Sequence, residues 1–375
     1  MKTILTIVRK EFLQLKRDPK MFGIILIAPI LQLIILGYAA NFDVEVVHTA
    51  IYDQDKTVTS REYIDNFKSV SYFHLDYDVN SYKEVVDLID KGKVILGVVI
   101  PKDFEKKITR KETVRVQAVF DGSDGNSATI SAGYVGGVTA TFSQNILLEQ
   151  KDKSGMQLKI GTIAPETRVW YNPELKTRVF MVPGIVGLLL MLITVILTSL
   201  AIVKEKEIGT LEQLMVTPIK SKQLIVGKLI PFAILSFVSE IIILTAMRVV
   251  FDIEVRGSYA FLFFSTFVYI LSTLGLGMFV STVSKTQQQA FMLAMFVVML
   301  PMIYLSGFAF PIENMPKLLQ YITYLIPLRY FMVIIRGIIL KGIGFVDLWQ
   351  ELLAMLTIGL GILYLSSLRF QKRLK

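Results

Sequence analysis

Apolar residues along the chain gather into six long runs set apart by charged connections. A helix crosses the hydrocarbon core of a bilayer with about 20 mostly apolar residues. Runs of that kind are Met21 to Ala40, Val179 to Val203, Leu229 to Met247, Tyr259 to Val283, Gln289 to Phe310 and Val346 to Leu368. The second carries no charge, the third carries Glu240, and the last has Asp347 and Glu351 at its outer end. Six crossings return the chain to the side on which it began. One further apolar stretch, Tyr330 to Leu340, holds Arg336 and at 11 residues is too short to span. Bracketed by Arg329 and Lys341, it reads as re-entrant or interfacial.

Residues 41–178 separate the first two runs, and these 138 residues suffice for one soluble domain with its own core. Strand and helix patterns alternate there. Val44 to Tyr52, Tyr72 to Leu75, Val94 to Ile100 and Val114 to Phe120 read as strands. Helices are predicted over Arg61 to Lys68, over Ser81 to Lys91 with Ser81 and Glu84 as a cap, and from about Ser127 to Glu149. Asp121, Asp124 and Asn126 have a superficial likeness to a calcium loop, but the spacing lacks the terminal bidentate Glu, so a turn and helix cap is the better reading. His48 and His74 stand singly in strands, as packed or surface residues.

Ahead of the first run, Ile4, Leu5, Val8, Phe12 and Leu15 recur at helical spacing, with Lys2, Arg9, Lys10, Lys16 and Arg17 on other faces. This pattern describes an amphipathic helix on the cytoplasmic membrane surface, with a solvated charged flank as the alternative. The charged region is too long for a cleaved signal peptide.

Composition agrees with a membrane protein. Of 375 residues 53% are hydrophobic and 19% charged, and the mean hydropathy is +0.56. A disordered or nucleic-acid-coating chain is excluded, because the excess positive charge behind the net +9 flanks the apolar runs. Residues 1–20, 204–228, 284–288 and 369–375 hold 16 basic and five acidic residues, whereas residues 41–178 hold 18 basic and 20 acidic. The positive-inside bias therefore puts both termini in the cytoplasm and the 41–178 domain outside. Without cysteine there are no disulfides and no thiolate chemistry, and two histidines alone make no three-His zinc site.

The connection after the second run is the richest in candidate function. It contains Glu205, Glu207, Gly209, Thr210, Leu211, Glu212, Gln213, Leu214, Met215 and Pro218. Thr210 and Gln213 fit a capping box, and Pro218 stops the helix after about six residues. So short a helix needs a surface to rest on. Leu211, Leu214 and Met215 form an apolar ridge, and Glu205, Glu207 and Glu212 are acidic where the charge rule asks for basic residues. Docking into a groove on a cytoplasmic partner and a solvated loop with an incidental cap both fit these features.

The run Glu205 to Pro218, with Gly227-Lys228 beyond it, resembles the signature of ABC-2 type permeases. Phe310-Pro311-Ile312-Glu313-Asn314-Met315-Pro316, Ile326-Pro327-Leu328-Arg329-Tyr330 and Lys341-Gly342 resemble a second. The resemblance covers essentially the whole chain and implies a polytopic α-helical membrane protein of six transmembrane helices, with an inserted α/β extracytoplasmic domain and re-entrant helices before the last span. It implies a coupling helix at 209–216 seated in a separate ATPase subunit, an N-terminal helix (1–20) as a second contact, and an external re-entrant gate at 311–341 that includes Pro311, Pro316, Pro327 and Arg329. It further implies a second permease copy or a paralogous permease. The chain itself lacks a G-x-x-x-x-G-K-[ST] run, so ATP and Mg are expected on the partner ATPase and no cofactor on this chain.

Polar residues inside spans are pathway candidates, since an ionisable group facing lipid is costly. Glu240 leads, with Gln32, Ser236 and Ser239 beside it, and pairing of Glu240 with a neighbouring helix is an equal alternative. An exporter of a drug, lipid or similar amphiphile from a bacterial inner membrane is the leading expectation, with membrane lipid around it and a periplasmic adaptor as an open question. The alternative is a membrane-anchored sensor or scaffold. An intramembrane enzyme is disfavoured, because the runs hold no paired carboxylates, His cluster or Ser-Lys dyad.

Overall fold

The structure is a computed structural model and describes residues 2–17, 23, 27–40, 43–44, 46–154, 170–173, 176–210, 219 and 221–372. The chain divides into two compact units, one of residues 1–41 and 168–375, the other of residues 42–167.

In the first unit the helices are α1 (Lys2–Lys16), α2 (Ala28–Ala39), and α7 to α13, with the four strands and four helices of the second unit lying between α2 and α7 in sequence. Helix α7 (Thr177–Glu207) is apolar on every side and lies at the centre. Around it pack α2, α8 (Ser221–Phe251), α9 (Tyr259–Val283), α10 (Gln287–Leu305) and α12 (Pro327–Arg336), while α13 (Phe345–Lys372) lies along α9. Among the described residues, five helices are long and apolar enough to cross a membrane: α7, α8, α9, α10 and α13. The run Met21 to Ala40 is described as a helix only over Ala28–Ala39, and part of it lies outside the described residues. Helix α11 (Lys317–Thr323) and the segment Pro327–Lys341 meet at a bend of 80°, and counting this broken pair as one span gives six. The segment 330–340 is thus one part of a bent pair that begins at Lys317.

Outward faces of this unit carry large apolar side chains, including Ile241, Val249, Phe296, Val297 and Leu365. A soluble surface does not hold so many together. Inside, the core combines Leu, Ile, Val and Phe with a set of buried hydroxyls that bond mostly to helix carbonyls one turn back, such as Ser236 to Phe232 and Ser265 to Phe261. Such bonds satisfy a hydroxyl without water.

The second unit is a four-stranded sheet in the order β2-β1-β3-β4, from β1 (Val47–Asp53), β2 (Phe73–Asp78), β3 (Leu96–Ile100) and β4 (Gln117–Phe120). The first three strands are parallel and β4 is antiparallel to β3. Parallel strands covered on both faces read as continuous apolar runs, and every residue of β3 is buried. Helices α3 (Val58–Lys68), α5 (Phe104–Thr109) and α6 (Gly125–Ser154) share one core with Val47, Ile51, Phe73, Leu96, Val98 and Ile100. Helix α4 (Tyr82–Asp90) packs its Val85 against Val99 and Val79 on the other face. The strands begin two to three residues later than the alternation suggests, except β2, and α5 was not apparent from periodicity because it is only six residues long. Asp121 and Asp124 accept hydrogen bonds from the backbone N–H groups of Ser123, Asn126 and Ser127, which is turn and cap chemistry.

Candidate coupling junction and membrane pathway

The end of α7, the start of α8 and helix α1 meet in a cluster of four charges. Glu205 pairs with Lys228 and with Lys10, and Glu11 lies 3.6 Å from Lys228 and 3.5 Å from Lys10. Lys228 is 2% exposed, Glu11 5% and Glu205 7%. Two carboxylates and two ammonium groups leave the cluster neutral, the condition under which buried charge is tolerated. Burial pulls the Lys10 ammonium towards a lower pKa, but the Glu205 and Glu11 carboxylates outweigh it and hold Lys10 above the usual lysine range.

Gly227 explains how α1 comes so near. A Cβ at this position would sit 2.9 Å from two carbons of Ile7, so only glycine lets the buried Ile7 side chain lie against α8. Ile7 joins Ile202, Leu224, Ile225, Met278 and Phe370 in an apolar cluster. The face of α1 that carries Ile7, Lys10 and Glu11 is therefore occupied by the protein, while Leu5 is 72% exposed. The expected surface helix is thus docked on α8 along one side.

Residues that follow Glu205 are held just as firmly. Lys206 donates to the Ser284 carbonyl at 2.6 Å, and Glu207 accepts from the Gln287 backbone N–H and side-chain amide at 3.2 and 2.9 Å. Gly209 adopts φ +78°, the left-handed conformation that ends a helix, and Thr210 donates to the Glu205 carbonyl at 3.2 Å. The expected capping-box partner of Thr210, Gln213, lies outside the described residues, as do Leu211, Glu212, Leu214, the stop at Pro218 and the 211–216 helix. Of the acidic residues expected to face a partner, Glu205 is buried within its own chain and Glu207 is exposed but bonded to Gln287.

Pathway candidates are distributed over two helices, α2 and α8. Glu240 is 1% exposed and accepts from Thr266 of α9 at 2.6 Å, while its second carboxylate oxygen has no hydrogen-bond partner among the described residues. Ser236, one turn before, lies 3.0 Å from the Thr194 hydroxyl of α7. Ser239 is fully buried and Gln32 partly so. Glu240, Ser236 and Thr194 thus face the α7–α8–α9 interior, whereas Gln32 belongs to α2.

At the other end of α7, Arg329 and Arg336 have no carboxylate partner among the described residues. Pro316 precedes α11, Pro327 opens α12, and Pro311 opens a short 3₁₀ turn at Ile312–Asn314. Each is a place where proline's fixed φ costs nothing. Arg329 donates to the Thr323 hydroxyl and lies 3.9 Å over the Tyr324 ring, which braces the bend between α11 and α12. Arg336 donates to the Gly307 carbonyl at 3.0 Å and lies 3.7 Å over Phe180, and its Nε and Nη2 have no hydrogen-bond partner among the described residues. Arg336, Lys10 and Glu11 carried no local sequence signal of their own. Lys228 did, through its glycine neighbour.

A family model described as ABC-2 family transporter protein matches residues 19–368. The chain belongs to the ABC-2 transporter family. This permease is 34% identical over 353 residues, 94% of each chain, to the probable multidrug ABC transporter permease YbhR of Escherichia coli. It is 31% identical over 366 residues, 97% of this chain and 96% of the relative, to the probable multidrug ABC transporter permease YbhS of the same organism. A third relative, the linearmycin resistance permease protein LnrN of Bacillus subtilis, is 22% identical over 367 residues, 93% and 94% of the two chains. The motif resemblance is thereby borne out: the protein is a membrane-embedded permease subunit, and its relatives are permeases rather than ATPases.

Proposed function

We propose that this permease forms the membrane half of an ATP-driven exporter in a bacterial cytoplasmic membrane, moving a drug, lipid or similar amphiphile outward. Six spans, counting the run at Met21 to Ala40, put both termini in the cytoplasm and the 42–167 unit outside. The bent pair α11–α12 is then a re-entrant gate at the outer end, and a separate ATPase binds ATP and Mg. The two multidrug permeases named above support the substrate class by likeness.

The observation that carries the coupling part of this reading is the junction at Glu205. The residues immediately before the 211–218 segment are tied at once to α1, α8 and the connection between α9 and α10. A push on that segment by a closing ATPase is delivered to four helices instead of being absorbed by one loose loop. Differential contact of the partner with two arrangements of these helices is what lets ATP energy bias the pathway. Glu240, with one oxygen bonded to Thr266 and the other without a partner among the described residues, is a polar group on α8 that such a rearrangement would reposition.

Gentle detergent purification of the native complex tests this. A P-loop ATPase is expected to accompany the wild-type chain, and Glu212→Arg is expected to release it and abolish ATP-stimulated transport while the spans still assemble. Absence of any ATPase from the wild-type preparation would instead favour a membrane-anchored sensor or scaffold.

A further inference from the structure

The chain has two histidines, and the fold sets them side by side. His48 on β1 and His74 on β2 are register partners in the parallel pair, their ring centroids 6.0 Å apart. Between them stands one carboxylate. Asp76 Oδ2 lies 2.7 Å from His48 Nδ1, and Asp76 Oδ1 lies 2.7 Å from His74 Nδ1. Asp76 is also the residue at which the ladder breaks: Thr49 pairs with Leu75 and Ala50 with Tyr77, so Asp76 is an extra residue bulged out of β2. Bulges re-aim a side chain at the cost of local pairing, and are over-represented beside functional sites.

We propose that His48, His74 and Asp76 form a surface site for a divalent transition metal ion of the zinc class, bound by one Nδ1 from each ring and one carboxylate oxygen. Imidazole and carboxylate are ligands such ions prefer over the all-oxygen sets of calcium and magnesium. The three ligand atoms lie within 4.8 Å of one another. Tetrahedral zinc, with bonds of about 2.0–2.1 Å, needs neighbouring ligand atoms about 3.3 Å apart, so a bound ion would part the two 2.7 Å contacts to roughly that spacing. Neutral imidazoles and one carboxylate bring a single negative charge to a doubly positive ion, and water completes the coordination.

A purely structural role fits less well. The His48 and His74 side chains are 52% and 70% exposed, and exposed ion pairs contribute little to stability. A bulge in the strand, with the chain's two imidazoles directed at one carboxylate, is more arrangement than an exposed sheet surface requires.

The full-length permease, purified through a tag free of histidine and stripped with chelator, is titrated with Zn²⁺ by calorimetry and with Co²⁺ by visible absorption. The expected result is one saturable ion per chain. His74→Gln is expected to weaken binding at least tenfold, and His48→Gln with His74→Gln to abolish it together with the cobalt bands. Because both rings are exposed, circular dichroism of the variants should match that of the wild type. The proposal is overturned if the wild type takes up no stoichiometric zinc, or if the double variant binds as the wild type does.

Discussion

The two ends of helix α7 handle charge in opposite ways. At Glu205 every buried charge has an opposite partner, and the partners come from three different helices. At the Phe180 end, about 37 Å away along 25 helical residues, Arg336 is held by one carbonyl and one ring, with no carboxylate partner among the described residues. The first arrangement is a joint: displacing any one member strands a charge in low dielectric. The second is a latch, because an arginine on carbonyls and aromatic faces can exchange partners without leaving an anion behind. Such a division is what the proposed exporter, pushed at one end and opened at the other, would need.

Breaking the joint should have the largest effect. Lys228→Met leaves Glu205 and Glu11 sharing Lys10 alone, and a loss of about 3–5 kcal/mol is expected, read as a fall in the thermal midpoint in detergent or as lost expression. Next comes Gly227→Val, which forces Ile7 off α8. Overpacking of this kind costs about 1–3 kcal/mol, and adding Ile7→Ala should recover part of it, a coupling that a double-mutant cycle would detect. A fully additive cycle would mean that α1 does not rest on Gly227.

At the other end, Arg336→Met should change stability by less than about 1 kcal/mol, since Nε and Nη2, which have no hydrogen-bond partner among the described residues, disappear together with the favourable contacts. Its effect is expected in transport rate instead. A collapse of the fold in this variant as severe as that of Lys228→Met would erase the contrast between joint and latch.

The smallest effect is a pH dependence. Lys10 has its pKa raised in the folded protein, so its contribution is fully present below the ordinary lysine pKa of 10.5 and is lost as pH rises through the higher folded value. Proteolytic access to α1 should therefore increase only at strongly alkaline pH, and Lys10→Gln should remove that step.

Much of the helical unit was legible because lipid imposes a simple rule. Every spanning backbone group must be satisfied within its own helix, so long apolar runs announce themselves, as Val179 to Val203 and Tyr259 to Val283 do. The bend between α11 and α12 was half visible: Pro327 marks where a helix starts, but the 80° angle depends on what Arg329 and Tyr324 do across the turn. Glu205 shows the limit most clearly. In sequence it is one acidic residue in a charged loop, and its burial depends on two lysines 195 residues before and 23 residues after it. His48 and His74 read as single residues because parallel strands are paired by a crossover, and no periodicity reports which residues that crossover sets opposite each other.

Apolar runs and flanking charge by themselves determined that this chain is a polytopic membrane protein, and its motif residues carried the resemblance to ABC-2 permeases, since those properties depend on the solvent around each segment and on local sequence. Tertiary structure alone decided which charges neutralise one another, which glycine admits a neighbouring helix and which histidines share a carboxylate. Those are pairings over long sequence distances, and they exist only once packing has brought the partners within a few ångströms.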